Sequence, residues 1–196
     1  MKAKWFGVAL AAAALSAGGC GQGRAIFNVD ILSFLQGTGK DTVHYRIPPL
    51  PLPSVPVPVA DSFVNPPIAV NLPPGASASI VDTVRLTGNA NIENVTGSGS
   101  ASFRVFFASD SNPAILYAGQ PAISIPLTGT ATVTPGDTTA LPFDVPLTGV
   151  IADLFKQSQV FIGVRVRVTA NAGAGLEGKL RLTALRARIV LQDKIF

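Results

Sequence analysis

Few side chains of this sequence could carry chemistry. The chain has one cysteine, Cys20, one histidine, His44, and two glutamates, Glu93 and Glu177. A Ser-His-Asp hydrolase would have to use His44, but the chain lacks a Gly-x-Ser-x-Gly motif, and no residue stands out as the partner that would orient a general base. A zinc site needs several His or Cys ligands, and the two glutamates lie in different predicted turns, which disfavours glycoside hydrolysis. We predict no enzymatic activity, no metal site and no cofactor.

Cys20 ends a segment with the layout of a secretory signal. Lys2 and Lys4 form a basic end, residues 6–15 form a short apolar run, and small residues follow up to the cysteine. A membrane-spanning helix needs about 20 mainly apolar residues, and this run is interrupted by Gly18 and Gly19 well before that length. Since a lone cysteine cannot form an internal disulfide, its place in an exported chain requires another explanation.

The segment Ala17-Gly18-Gly19-Cys20 resembles the lipobox of bacterial lipoproteins, in which a peptidase cuts before a cysteine that carries diacylglycerol. The sequence departs from the usual pattern at Ala17, where a larger aliphatic residue is commonest. The resemblance implies removal of residues 1–19, lipidation of Cys20 and anchoring to a membrane by more than one acyl chain, which is stable. It implies a cell-envelope location. Gly21, where inner-membrane lipoproteins of enteric type carry Asp, favours the outer membrane.

The composition indicates an all-β protein. Removing residues 1–19 of the 196 leaves 177, enough for a domain with a core. Lys2 and Lys4 leave with the signal, so 13 of the 15 Lys and Arg remain against 11 Asp and Glu, a balance that does not indicate nucleic-acid binding. Abundant Gly, Pro, Val and Thr predict short strands joined by turns. We predict a lipidated tether over residues 20–24 and a single antiparallel β-sandwich over residues 25–196.

The N-terminal half of this domain contains a predicted hairpin and a proline-rich segment. Two strand-like runs cover residues 26–35 and 42–47, separated by a turn-rich stretch, and apolar and polar residues alternate along the second run. Residues 48–75 contain ten of the sixteen prolines, which is typical of a flexible spacer. However, prolines on alternate positions remove backbone donors from one strand edge only, so we favour an ordered edge segment. Residues 150–156 are the one helical candidate, with Thr148 as N-cap.

The last two strands predict a hairpin with a β-bulge. Apolar residues alternate along residues 160–170 and again from Leu180 onward, so pairing Val166 with Leu180 matches the two apolar faces. After Thr183 the apolar phase shifts by one position to Leu185 and Ala187. Such a shift within a continuing strand is the mark of a β-bulge near residues 183–185.

This register predicts a basic sheet face. Arg165 would lie opposite Arg181 and Arg167 opposite Lys179, with further arginines at positions 186 and 188 beyond the bulge. Like charges directly across a sheet are destabilising. They must be offset either by acids of the same domain, for which Asp144, Asp153 and Asp193 are candidates, or by an anionic partner.

Residues 102–145 are similar to a known sandwich family. They contain a strand, then Ser111-Asn112-Pro113, a tyrosine-glycine segment and Pro135-Gly136-Asp137-Thr138-Thr139 before an apolar strand. This order resembles the LEA14-type (water-stress and hypersensitivity) β-sandwich, which also occurs in bacterial lipoproteins. The tandem Asn-Pro-Asn signature of that family is missing, and no catalytic residues carry over. The resemblance implies the architecture alone.

Three functional hypotheses follow. The first is a lipid-anchored envelope protein with a non-enzymatic binding or structural role, whose partners are the membrane and another envelope component. The second is a binding module for an anionic ligand, a lipid headgroup or an acidic glycan, using Arg165, Arg167, Lys179 and Arg181. An unrecognised hydrolase ranks lowest.

Overall fold

Alternating apolar residues produce two antiparallel β-sheets in the computed structural model, which describes residues 24–49, 59–72, 80–119, 123–131, 138–171 and 175–192. The first sheet consists of β1 (Arg24–Asp30), β2 (Thr42–Ile47), β5 (Ile80–Gly97), β8 (Thr138–Leu147) and β10 (Leu176–Gln192). The second sheet consists of β3 (Val59–Phe63), β4 (Ile68–Asn71), β6 (Gly99–Ala108), β7 (Ile123–Ala131) and β9 (Gln159–Ala170). The predicted antiparallel β-sandwich is confirmed.

A long strand organises each sheet. One side of β10 pairs with β5, and β8 pairs with the far side of β5. The other side of β10 pairs with β2 over its first half and with β1 over its second half. In the second sheet β9 pairs with β6 on one side and with the short strands β3 and β4 on the other, and β7 follows β6.

The core lies between the two sheets. Val164, Val166 and Val168 of β9 are fully buried, as period-2 alternation requires when one face of a strand is covered. The rings of Phe103 on β6 and Phe143 on β8 pack across the interface between the sheets, with their centroids 6.0 Å apart. Stability therefore rests on apolar packing between the sheets, since the only cysteine has no partner for a disulfide.

The predicted pairing of β9 with β10 is wrong. The two strands belong to different sheets, and the connection between Asn171 and Gly175 leads the chain from one sheet to the other. The chain makes the same change between β5 and β6 at Ser98, next to which Gly97 adopts a φ of +83°. A Cβ on Gly97 would lie 1.6 Å from the carbonyl oxygen of Gly175. Apolar faces that match can equally face each other across a core, and the alternation alone does not distinguish the two arrangements.

The predicted N-terminal hairpin is also wrong. β1 ends at Asp30, and Ile31–Gly37 forms a helix, α1, instead of extending the strand. Ile31, Leu32 and Leu35 are buried on one side of this helix, which is the helical rather than the strand spacing. β1 and β2 pair with different halves of β10 and not with each other.

Two further short helices lie at the ends of strands. α2 (Pro113–Leu116) begins where the Asn112 side chain accepts a hydrogen bond from the Ala114 amide at 2.9 Å, an N-cap followed by proline. α3 (Gly149–Leu154) confirms the predicted helix, and Thr148 occupies its N-cap position, although its hydroxyl makes no capping hydrogen bond. The prediction of a single helix is therefore wrong. No helix in the described ranges has the length and apolar character needed to cross a membrane.

The predicted β-bulge is confirmed. The pairing of β10 with β5 shifts between Leu182 and Ala184, leaving Thr183 as the extra residue. Leu182 is buried before the bulge and Leu185 after it.

The proline-rich segment contributes β3 and β4, which both lie beside β9 on the same edge of the second sheet. The alternating prolines themselves, in residues 50–58, lie outside the described residues. Their predicted role as an ordered edge stays a prediction.

The pKa values of the two tyrosines of the chain predict how the protein unfolds at alkaline pH. Burial raises the pKa of Tyr45 to about 12, and burial also raises the pKa of Tyr117. An unfolded phenol ionises near pH 10, so the unfolded state loses its protons first. The contribution of the protonated tyrosines to the free energy of unfolding is therefore fully present below about pH 10. It is lost as the pH rises toward about 12. We expect tyrosinate absorbance to appear together with unfolding, and a Tyr45→Phe variant to unfold at higher pH. Ionisation near pH 10 in a folded protein would contradict this.

Candidate functional site

The four cations of the predicted basic face lie on two surfaces. Arg165 and Arg167 alternate with buried valines on β9, so they lie on the outer face of the second sheet. Lys179 and Arg181 alternate with buried leucines on β10 and lie on the outer face of the first sheet. The core separates these faces. The structure therefore does not bring the four side chains together, because the strand pairing that would have done so is absent.

Three of these four cations have acidic partners. Arg165 Nη2 lies 2.9 Å from Asp61 Oδ2, and Lys179 Nζ lies 2.9 Å from Glu93 Oε2. Arg181 Nε lies 3.4 Å from an Asp41 oxygen. Acids of the same domain therefore neutralise these three charges, although they are not the acids that the sequence analysis named. Their role toward an anionic ligand stays a prediction.

Two arginines of the second sheet have no acidic partner among the described residues. Arg167 and Arg104 are exposed, and neither forms an ion pair there. Arg104 is placed directly opposite Arg165 in the pairing of β6 with β9.

His44 lies on the exposed face of β2, opposite Lys179. It borders a groove of about 220 Å³ together with Lys40, Ser62 and Phe63, among others. Within the described ranges no side chain or backbone group forms a hydrogen bond with its imidazole. The described residues therefore supply no group that would orient His44 as a general base.

A larger concavity, of about 750 Å³, lies on the outer face of the first sheet. We call it the arginine concavity. It is lined by Asn28, Val29, Asp30, Arg85, Thr87, Asp144, Arg186 and Arg188. The β-bulge at Thr183 creates it, because the one-residue shift turns Arg186 and Arg188 outward while Leu185 and Ala187 turn into the core.

Strand pairing arranges these side chains in two rows across the sheet. The first row is Asn28, Arg188 and Arg85 on β1, β10 and β5. The second row runs over four strands, and its members are Asp30, Arg186, Thr87 and Asp144. Two arginines, Arg188 and Arg85, are thus direct cross-strand neighbours, an arrangement that is destabilising unless an anion lies between or beside them.

One arginine of the concavity has an acidic partner. Arg85 donates two hydrogen bonds to the Asp144 carboxylate, from Nε to Oδ1 at 2.5 Å and from Nη2 to Oδ2 at 2.8 Å. These hydrogen bonds hold the pKa of the Asp144 carboxyl below its ordinary value and raise that of the Arg85 guanidinium. Arg186 and Arg188 form no ion pair with any described acid. Three guanidinium groups therefore face two carboxylates, and two of the three retain free donors suited to a carboxylate or phosphate.

Sequence reasoning found part of this site. The phase shift after Thr183 placed Arg186 and Arg188 on one outer face. Arg85 and Asp144 were missed as neighbours, because they reach the concavity through β5 and β8, whose places beside β10 depend on long-range pairing. The local signal for Arg85 was its outward position between the buried Val84 and Leu86.

No protein-family model matches the sequence, and no curated protein matches it either. Among solved structures, the chain is similar to that of the infectious bursal disease virus Gx strain, with a TM-score of 0.36, 9% identity and coverage of 89% of this chain. The Gt strain structure gives a TM-score of 0.34 and 8% identity over 86% of this chain. The chain spans 33% and 36% of those two viral chains.

A third similarity is to the structure of TmCBM61 in complex with beta-1,4-galactotriose. The TM-score is 0.23 and the identity is 13%, over 64% of this chain and 70% of that one. These similarities assign neither a family nor a function.

Proposed function

We propose that this chain is a lipid-anchored cell-envelope protein whose β-sandwich has a non-enzymatic binding or structural role. The observation that carries the proposal is the position of Cys20. It follows a signal-like segment of 19 residues and precedes the start of β1, at Arg24, by four residues. A lipid on this cysteine would tie the first sheet directly to a membrane surface.

The short tether limits how far the sandwich can move from that surface. Four residues of extended chain span at most about 14 Å, so β1 begins within that distance of the lipid-bearing residue. More than one acyl chain makes such an anchor stable. We place the protein at the outer membrane, because Gly21 stands where an inner-membrane retention signal of enteric type has Asp.

A non-enzymatic role is proposed because of the surroundings of the one histidine. His44 is exposed on β2 and has no hydrogen-bond partner in the described part of the chain. A general base must be oriented by a third group. A hydrolytic activity of the purified protein that is lost in a His44→Ala variant would contradict this part of the proposal.

The mass of the N-terminal peptide of the native protein tests the anchor. We expect this peptide to begin at Cys20 and to carry a diacylglycerol group, with a further acyl chain if the amine is also modified. The rest of the digest serves as the internal control, since its peptides should have unmodified masses. Recovery of residues 1–19 in the mature protein, or of an unmodified Cys20, would refute the proposal.

A second candidate function is the binding of an anionic group. The arginine concavity favours it over the four cations considered first, because Arg186 and Arg188 lack acidic partners among the described residues while three of those four have one.

A further inference from the structure

The arginine concavity lies close to the proposed anchor. Arg24, Ile26, Asn28 and Asp30 alternate along β1 and share its outer face, and Asn28 is the β1 member of the row that contains Arg188. Four residues of strand span about 13 Å. The concavity therefore begins about as far from the start of β1 as the tether can reach, so the first sheet can lie with this face on the membrane that holds Cys20.

The outer face of β1 between Arg24 and the concavity is suited to a lipid interface. Arg24 is exposed and forms no ion pair with a described acid. Ile26 is an exposed apolar side chain, with 51% of its surface accessible, and lies opposite the half-buried Val190. Segments that bind at the membrane interface combine basic side chains with exposed apolar ones.

The acids near this surface leave it with a small net positive charge, because Arg24, Arg85, Arg186 and Arg188 outnumber Asp30, Asp82 and Asp144 by one. Asp144 is held by Arg85. Asp30 and Asp82 are exposed, and neither forms an ion pair with a described cation. Arg24, Arg186 and Arg188 therefore remain available to phosphate oxygens.

We infer that the arginine concavity is a docking face for anionic lipid headgroups, and that it orients the sandwich on the membrane to which Cys20 is tied. This inference rests on the proposed anchor. The phosphate groups accept hydrogen bonds from Arg186 and Arg188, which have no acidic partner among the described residues. The second sheet and its basic side chains then face away from the membrane.

The test uses the mature chain from residue 20 with Cys20→Ser, so that the lipid does not mask weak binding. Every described element lies within it. Binding is measured by co-sedimentation with vesicles of phosphatidylcholine alone or with added phosphatidylglycerol, at low and high salt. We expect binding to the anionic vesicles only, and a loss of it at high salt.

The variant Arg186→Gln/Arg188→Gln is expected to weaken this binding about 25-fold, because each basic side chain at an anionic surface contributes a factor of about five. The matched control is Arg104→Gln/Arg167→Gln, which removes two exposed arginines without acidic partners from the second sheet and should weaken binding by less than about fivefold. A charge-conserving variant, Arg186→Lys/Arg188→Lys, should keep most of the binding. Circular dichroism confirms folding of each variant.

Equal weakening by the two glutamine pairs would overturn the inference, as would equal binding to neutral and anionic vesicles. Binding to a soluble acidic polysaccharide such as polygalacturonate without binding to vesicles would also overturn it, in favour of a glycan. The mass of the N-terminal peptide tests the anchor independently of vesicle binding. A lipidated Cys20 without vesicle preference overturns only the docking face, whereas an unmodified Cys20 overturns the proposed function and the inference together.

Discussion

Loss of the lipid that we propose on Cys20 is expected to release the protein from the membrane completely. In the variant to be expressed, an ordinary signal peptide without a lipobox replaces residues 1–19, and Cys20 becomes serine. This design avoids an uncleaved signal that would itself hold the chain in the membrane. Without acyl chains, the remaining attraction to lipid that we propose is that of the arginine concavity, which is electrostatic and is therefore screened at high salt. We expect the variant in the soluble extracytoplasmic fraction and the wild type in the membrane fraction after a high-salt wash.

The matched control keeps residues 1–19 and Cys20 and replaces Gly21 with serine. This variant changes the same region without removing the sulfur that we propose to be lipidated, so it should stay in the membrane fraction. If the serine variant at position 20 remains membrane-bound after the salt wash, the anchor is not a lipid on that residue.

Replacing Phe103 with alanine is expected to lower the free energy of unfolding by about 3–5 kcal/mol. Its side chain is fully buried on β6 and packs across the core against Phe143 of the other sheet. Truncation removes apolar contacts and leaves a cavity between the sheets that neither can close without moving a whole strand. Urea unfolding, followed by circular dichroism, measures the effect.

Phe63→Ala makes the same chemical change at a position that is 47% exposed. Its ring contacts Tyr117, with centroids 5.0 Å apart, so we expect a loss of about 1 kcal/mol. Equal losses for the two variants would show that the interface between the sheets is not the main source of stability.

Much of the fold could be predicted from local alternation. The strands follow apolar residues on alternate positions, and the shift after Thr183 predicted the bulge because a bulge is a local event in one strand. The N-terminal part was mispredicted, since the short apolar run of residues 26–35 can be a strand or can end in a short helix. Burial against the core decides between them, and burial is not a local property.

The candidate site could be predicted only in part for the same reason. Outward positions of Arg186 and Arg188 follow from the bulge. The assignment of β9 and β10 to one sheet or to two does not follow from alternation, and it decides whether Arg165 meets Arg181 or Asp61. The contact of Arg85 with Asp144 joins residues 59 positions apart, and nothing in either local segment marks the other as its partner.

The place of β10 in the first sheet has a consequence for the order of events during synthesis. β1 and β2 both pair with β10, which follows them by more than 120 residues, and β5 pairs with β10 along its full length. β1 and β2 therefore stay without this partner until residues 176–192 have been translated. A premature stop before Leu176 would leave three strands with exposed backbone edges, the kind of species that aggregates or is degraded.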